Sequence, residues 1–92
     1  MGWQTKETTD LFKAILKLKN VEEAEKFFRD LCTLQEIYEM SKRWQAAKLI
    51  NQGLPIREIA KKLEMSTTTV ARVAHWLHHG EGGYQLILER MK

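Results

Sequence analysis

IREIAKKLEMSTTTVARVAHWL, residues 56–77, decides how this chain folds. Apolar side chains fall at Ile56, Ile59, Ala60 and Leu63, then at Met65, then at Val70, Val73 and Leu77, so two segments each carry one apolar face at the helical repeat. Between them Leu63-Glu64-Met65 leaves room only for a sharp corner, and Ser66 suits a cap that accepts from a backbone amide one turn into the second helix. Ala60, small and in mid-helix, lets the second helix cross close over the first. The outward face of that second helix then carries Ser66, Thr67, Thr68, Ala71, Arg72 and His75. These are short hydrogen-bonding or basic side chains with no acid among them, a face that suits a polyanion or the base edges in a DNA groove.

With Ala60 as anchor, Ile59, Leu63, Met65, Val70 and Val73 occupy the apolar positions of a helix-turn-helix, and the pattern is similar to that of many bacterial repressors. Glu64 departs from it by standing where glycine is usual, so an uncommon backbone conformation or a slightly different turn is expected there. The wider chain, from about Asp10 to Met91, resembles the Trp repressor superfamily, in particular its TrpR-related YerC/YecD family. The residues that carry this are Leu31 to Glu36 (LCTLQE), Arg43, Arg57-Glu58-Ile59, Ser66 to Val73 (STTTVARV) and Gly80 to Tyr84 (GEGGY). The expected fold is all-α, with about six helices including the helix-turn-helix, and the resemblance implies an intertwined homodimer. Residues 1–92 then form a single helical domain, with dimerisation helices over 9–52, a DNA-reading head over 54–79 and a C-terminal helix over 84–91.

Bulk properties agree with a small helical protein. Ninety-two residues make one domain, and a chain this short leaves much of its surface uncovered, which a partner copy relieves. At 43% hydrophobic and 29% charged residues the composition is that of a folded globular protein. There is no apolar run of the roughly 18 residues a membrane span needs. MGWQTKETTD lacks the basic segment and apolar core of a secretory signal, and Lys6 stands where a myristoylation signal wants Ser or Thr. One cysteine, Cys32, excludes an internal disulfide and fits a packing role in a reducing cytoplasm, the expected location.

Charge is unevenly distributed. Residues 1–41 hold 6 Lys or Arg against 8 Asp or Glu, whereas residues 42–92 hold 9 against 4. The basic half contains the helix-turn-helix, and a positive field there draws nucleic acid by releasing counterions from phosphates. The plainer reading is that Lys48, Arg57, Lys61 and Lys62 are solvated helix faces.

Upstream, a first helix is expected over about Thr9 to Lys19, with Leu11, Phe12, Ile15, Leu16 and Leu18 apolar. Asn20 with Glu23, and Thr33 with Glu36, have the spacing of reciprocal capping pairs that open the second and third helices. Val21, Ala24, Phe27, Phe28 and Leu31 stripe the second. The third runs to about Gln52, where Gly53 terminates it and Pro55 opens the next. Leu34, Ile37, Tyr38, Ser41, Trp44, Ala47 and Ile50 or Asn51 mark one side of it, and Trp44 on that stripe is expected in the core. The wide apolar faces of the opening helices are more readily covered between two subunits than within one.

For the reading head, Thr67 and Thr68 are the candidates for base-edge or thymine-methyl contact and Arg72 for a guanine or a phosphate. His75 shares their face. Ser66, Thr69 and the free amides at the helix start suit a phosphate, and Lys61 and Lys62 on the preceding helix suit the backbone. Against this stand a Ser66 that merely caps, threonines that merely set the helix start, and an Arg72 that serves an ion pair. The function expected is sequence-specific regulation of transcription, as a repressor on a roughly palindromic operator in double-stranded DNA. The alternative is a helical dimer scaffold or protein-interaction module that binds no DNA. Nothing in the chain resembles a catalytic constellation, so no enzyme is expected.

The resemblance also implies an effector pocket. In the Trp repressor, tryptophan lies between two arginines, and Arg43 and Arg72 match them. Val73 stands where glycine follows the second, and its branched side chain is expected to fill the space an indole needs. No cofactor is therefore expected, tryptophan binding being disfavoured by Val73, while a different small-molecule effector, or none, stays open. His75, His78 and His79 share a helical face at spacings that can hold zinc or nickel, but polar capping or phosphate contact is the favoured reading and no metal is expected. Gly80 to Gly83 is a joint before a closing helix with Tyr84, Leu86, Ile87 and Leu88, whose length is marginal for stability alone.

Overall fold

A computed structural model describes residues 2–92. Six α-helices follow one another: α1 (Lys6–Ile15), α2 (Val21–Leu31), α3 (Leu34–Asn51), α4 (Ile56–Leu63), α5 (Thr67–His79) and α6 (Gly83–Arg90), with no strand among the described residues. The fold is therefore all-α. The chain divides into two compact units, the described residues up to Ile37 and Tyr38–Lys92.

In the first unit the helix starts are held by side-chain caps. Thr5 and Thr8 form a reciprocal pair, the Thr8 amide donating to Thr5 Oγ1 at 3.1 Å and the Thr5 amide to Thr8 Oγ1 at 2.8 Å. That pair starts α1 at Lys6, three residues before the expected Thr9, and the helix ends at Ile15 rather than Lys19. Asn20 caps α2 by accepting from the Glu23 amide at 2.9 Å, while Glu23 accepts from the amide of Lys19 instead of Asn20, reaching one residue further back than the expected box. Thr33 and Glu36 form their box as expected, at 2.8 and 3.1 Å. Cys32, half-buried, is the C-cap of α2. No residue of α1 or α2 is buried. Val21 and Leu31, expected in a packing stripe, are 75% and 50% exposed, and Leu16 is 82% exposed.

The second unit holds the core. Ala46 and Ala47 of α3, Ile59 and Ala60 of α4, and Val70 and Val73 of α5 form one buried cluster, with Trp44, Leu49, Ile50, Leu54, Leu63, Met65 and Tyr84 packed against it. Two adjacent alanines in α3 bring the backbones of neighbouring helices close, as Ala60 does in α4. Ile56, expected on the buried face of α4, lies at its first residue and is exposed. α3 ends at Asn51, Gly53 turns the chain two residues on with a φ of +92° that suits glycine, and Pro55 is the N-cap of α4. Trp44 is half-buried and stacks on Tyr84, ring centroids 6.2 Å apart and planes 20° from parallel. Gln85 Nε2 donates to the Leu77 carbonyl at 2.6 Å, satisfying one of the carbonyls left open near the end of α5. α6 is thus tied to α5, while Leu86 and Ile87 on its far side are exposed.

Candidate nucleic-acid interface

The helix-turn-helix is built from the corner outward. Lys61 and Lys62 occupy the exposed last turn of α4, and the helix closes on Glu64 in the left-handed conformation, φ 55° and ψ 49°. The Met65 amide reaches back to the Ala60 carbonyl at 2.9 Å, completing a helix stop of the kind that glycine usually makes. Of the two expectations for Glu64, the uncommon backbone conformation is the one realised, and the turn keeps its geometry at the cost of strain. Ser66 then starts α5: its Oγ accepts from the Thr69 amide at 3.0 Å and lies 2.8 Å from Thr69 Oγ1.

From that start the helical repeat sorts α5 into two faces. Val70, Val73 and Leu77 are buried against the core. Ser66, Thr67, Thr68, Ala71, Arg72 and His75 are all exposed, and no acid stands among them. Thr67 and Thr68 present free outward positions in the first turn. Ser66 and Thr69 are engaged with each other in the cap, and Thr69 is half-buried. The open amides of the first turn carry the positive end of the helix dipole.

Arg43 and Arg72 meet at one cleft of about 350 Å³ between α3 and α5. Arg43 is half-buried. Glu39 and Lys42 of α3 join Arg43 on one side, and Met65, Ser66, Thr69 and Trp76 join Arg72 on the other. Trp76, 47% exposed, was not anticipated as a wall of this cleft, although it lies one turn beyond Arg72, as Glu39 lies one turn before Arg43. Val73 does not line the cleft: its side chain is fully buried in the core, and the aromatic wall is made by Trp76. Among the described residues no group of three His, Cys, Asp or Glu side chains is placed to hold a metal ion. No helix there is long and apolar enough to cross a membrane.

Comparison with known proteins places this geometry in a family. Residues 6–92 match the family model described as Trp repressor protein. The chain is 38% identical over 87 residues to the uncharacterised protein YerC of Bacillus subtilis (strain 168), covering 95% of this chain and 84% of that one. A TrpR-like protein from Eubacterium eligens ATCC 27750 superposes with a TM-score of 0.91 at 40% identity, over 96% of this chain and 91% of the other. A Staphylococcus aureus protein described as a candidate Trp repressor gives 0.90 at 43% identity, over 96% and 88%. The chain belongs to the Trp repressor family, in its TrpR-related YerC branch.

Proposed function

We propose that this protein is a sequence-specific DNA-binding regulator of transcription, a repressor that acts in the cytoplasm as a homodimer on a roughly palindromic operator. The observation that carries the reading is the exposed, acid-free face of α5, with Thr67 and Thr68 in its first turn and Arg72 one turn on. In a helix-turn-helix the start of the second helix enters the major groove, where hydroxyls and a guanidinium find base edges while Lys61 and Lys62 meet phosphates. Membership of a DNA-binding regulatory family with no enzymatic chemistry supports it. The dimer is supported by the first unit, whose helices bury nothing and leave Phe12, Leu16, Val21, Leu31 and Leu34 exposed, a cover that a second copy supplies. A scaffold that binds no DNA accounts for those apolar residues and leaves the hydroxyl face of α5 without a role.

Tryptophan is not required in this reading. The cleft between Arg43 and Arg72 already has the indole of Trp76 in its wall, and added tryptophan is expected to leave DNA retention unchanged. The test of the whole is selection of bound fragments from random duplex DNA, followed by titration of the enriched duplex against salt. Retention should weaken steeply as salt rises, and Thr68→Val with Arg72→Ala should cost about tenfold to a hundredfold in affinity. Failure to enrich any duplex, or an enriched duplex held equally by the double variant, refutes the assignment.

A further inference from the structure

α5 carries histidines that the reading above uses only in part. Thr68, Arg72, His75 and His79 follow at spacings of four, three and four, so they form one exposed stripe along the helix. The rings of His75 and His79 have centroids 5.2 Å apart and planes tilted by 42°. At that separation an N–H from each ring can reach oxygens of one tetrahedral anion. α5 ends at His79, where the open carbonyls favour positive charge. The hollow beside the pair contains one carboxylate, Glu81, and one phenol, Tyr84, together with Trp76; α4, the other helix packed on α5, contributes nothing to it. α3 faces α5 with Glu39, Lys42 and Arg43 across the separate cleft described above. His78 lies in a different hollow, with Asn51, Gln85, Glu89 and Lys92, although its ring is 6.4 Å from that of His79.

We infer that His75 and His79 form a proton-linked seat for a backbone phosphate of duplex DNA, so that the protein holds DNA more tightly as pH falls through the imidazole range. The inference rests on the DNA-binding reading. A neutral imidazole offers one N–H and one lone pair, whereas an imidazolium offers two N–H donors and a charge. Each proton taken up with the phosphate therefore adds a charge-assisted hydrogen bond and displaces a counterion from the DNA. Because the phosphate favours the protonated rings, the complex holds more protons than the free protein. Affinity thus rises as pH falls through the imidazole range and levels off on either side of it, where the free protein and the complex hold the same number of protons.

Fluorescence anisotropy of a labelled random-sequence duplex of about 30 base pairs, with the full chain at fixed salt, tests this between about pH 8 and 5.5. The dissociation constant should fall about tenfold or more as pH is lowered. The salt dependence should steepen by about one to two units of slope. His75→Gln with His79→Gln should flatten both responses, His79→Gln alone should remove part of them, and His78→Gln should keep them; circular dichroism confirms that each variant is folded. Equal pH dependence in the double variant and the natural protein, or an equal loss in His78→Gln, overturns the seat and leaves DNA binding standing. A protein that retains no duplex at any pH or salt overturns the DNA-binding reading and the seat together.

Discussion

Replacing Glu64 by glycine should stabilise this protein, and the size of the gain follows from one backbone angle. Glu64 holds φ 55° and ψ 49° to close α4 and turn the chain into α5. A left-handed conformation costs a residue with a Cβ about 1–2 kcal/mol, and glycine does not incur that cost. Glycine gives back about 0.4–1 kcal/mol through the greater freedom of its unfolded chain. The two terms leave Glu64→Gly a net gain of up to about 1.6 kcal/mol and about 0.8 kcal/mol at mid-range, which in a domain of this size raises Tm by about 3–6 °C. A second contribution must be separated, because a carboxylate at the end of α4 opposes the negative pole of that helix. Glu64→Ala removes the charge and keeps the Cβ, so the difference between the two variants isolates the backbone term. Thermal unfolding followed by circular dichroism, at one protomer concentration for all three proteins, reads that difference. If Glu64→Gly melts no higher than Glu64→Ala, the turn does not store the strain that its geometry implies.

Three further outcomes are expected. Ser66→Ala removes the side chain that caps α5 and frees Thr69 Oγ1 from its partner, costing about 1 kcal/mol in urea unfolding; an unchanged midpoint would show that the cap contributes nothing. Gly80→Ala places a Cβ against the backbone carbonyl of Trp76, so the end of α5 must shift, and a cost of about 1–3 kcal/mol should appear in the same assay. Leu16→Glu charges a residue that is 82% exposed in the single chain. If the proposed dimer forms through this face, sedimentation equilibrium should show self-association weakened by about tenfold or more while helicity is kept, and a variant that associates as tightly as the natural protein would remove Leu16 from the proposed interface.

Much of the second unit was legible because its signals are local. The repeat of Ile59, Ala60, Val70, Val73 and Leu77 specifies two buried faces, Ser66 specifies where α5 begins, and Gly53 with Pro55 separates α3 from α4. The outward set on α5 follows from the same repeat, since a helix whose apolar positions are known has only one face left for water. The start of α1 was missed for a correspondingly local reason. A Thr-x-x-Thr pair closes the same reciprocal bonds as a box ending in Glu or Gln, and Thr5 with Thr8 carried that signal.

Periodicity in one helix is blind to what faces it, and that is where tertiary structure decided the outcome. Arg43 and Arg72 are 29 positions apart, and only the crossing of α3 and α5 turns them, with Glu39 and Trp76, into a shared cleft. Val73 could be placed on an apolar face by spacing, but whether its methyl groups enter that cleft or the core depends on where Ala46 and Ala47 let the helices approach. The sequence alone determined the helices, their caps and the chemistry of the face they leave outward, because hydrogen bonds and side-chain rows within one helix span only a few residues. The fold alone determined which of those side chains meet, because close packing between helices depends on the volumes of residues far apart in the chain.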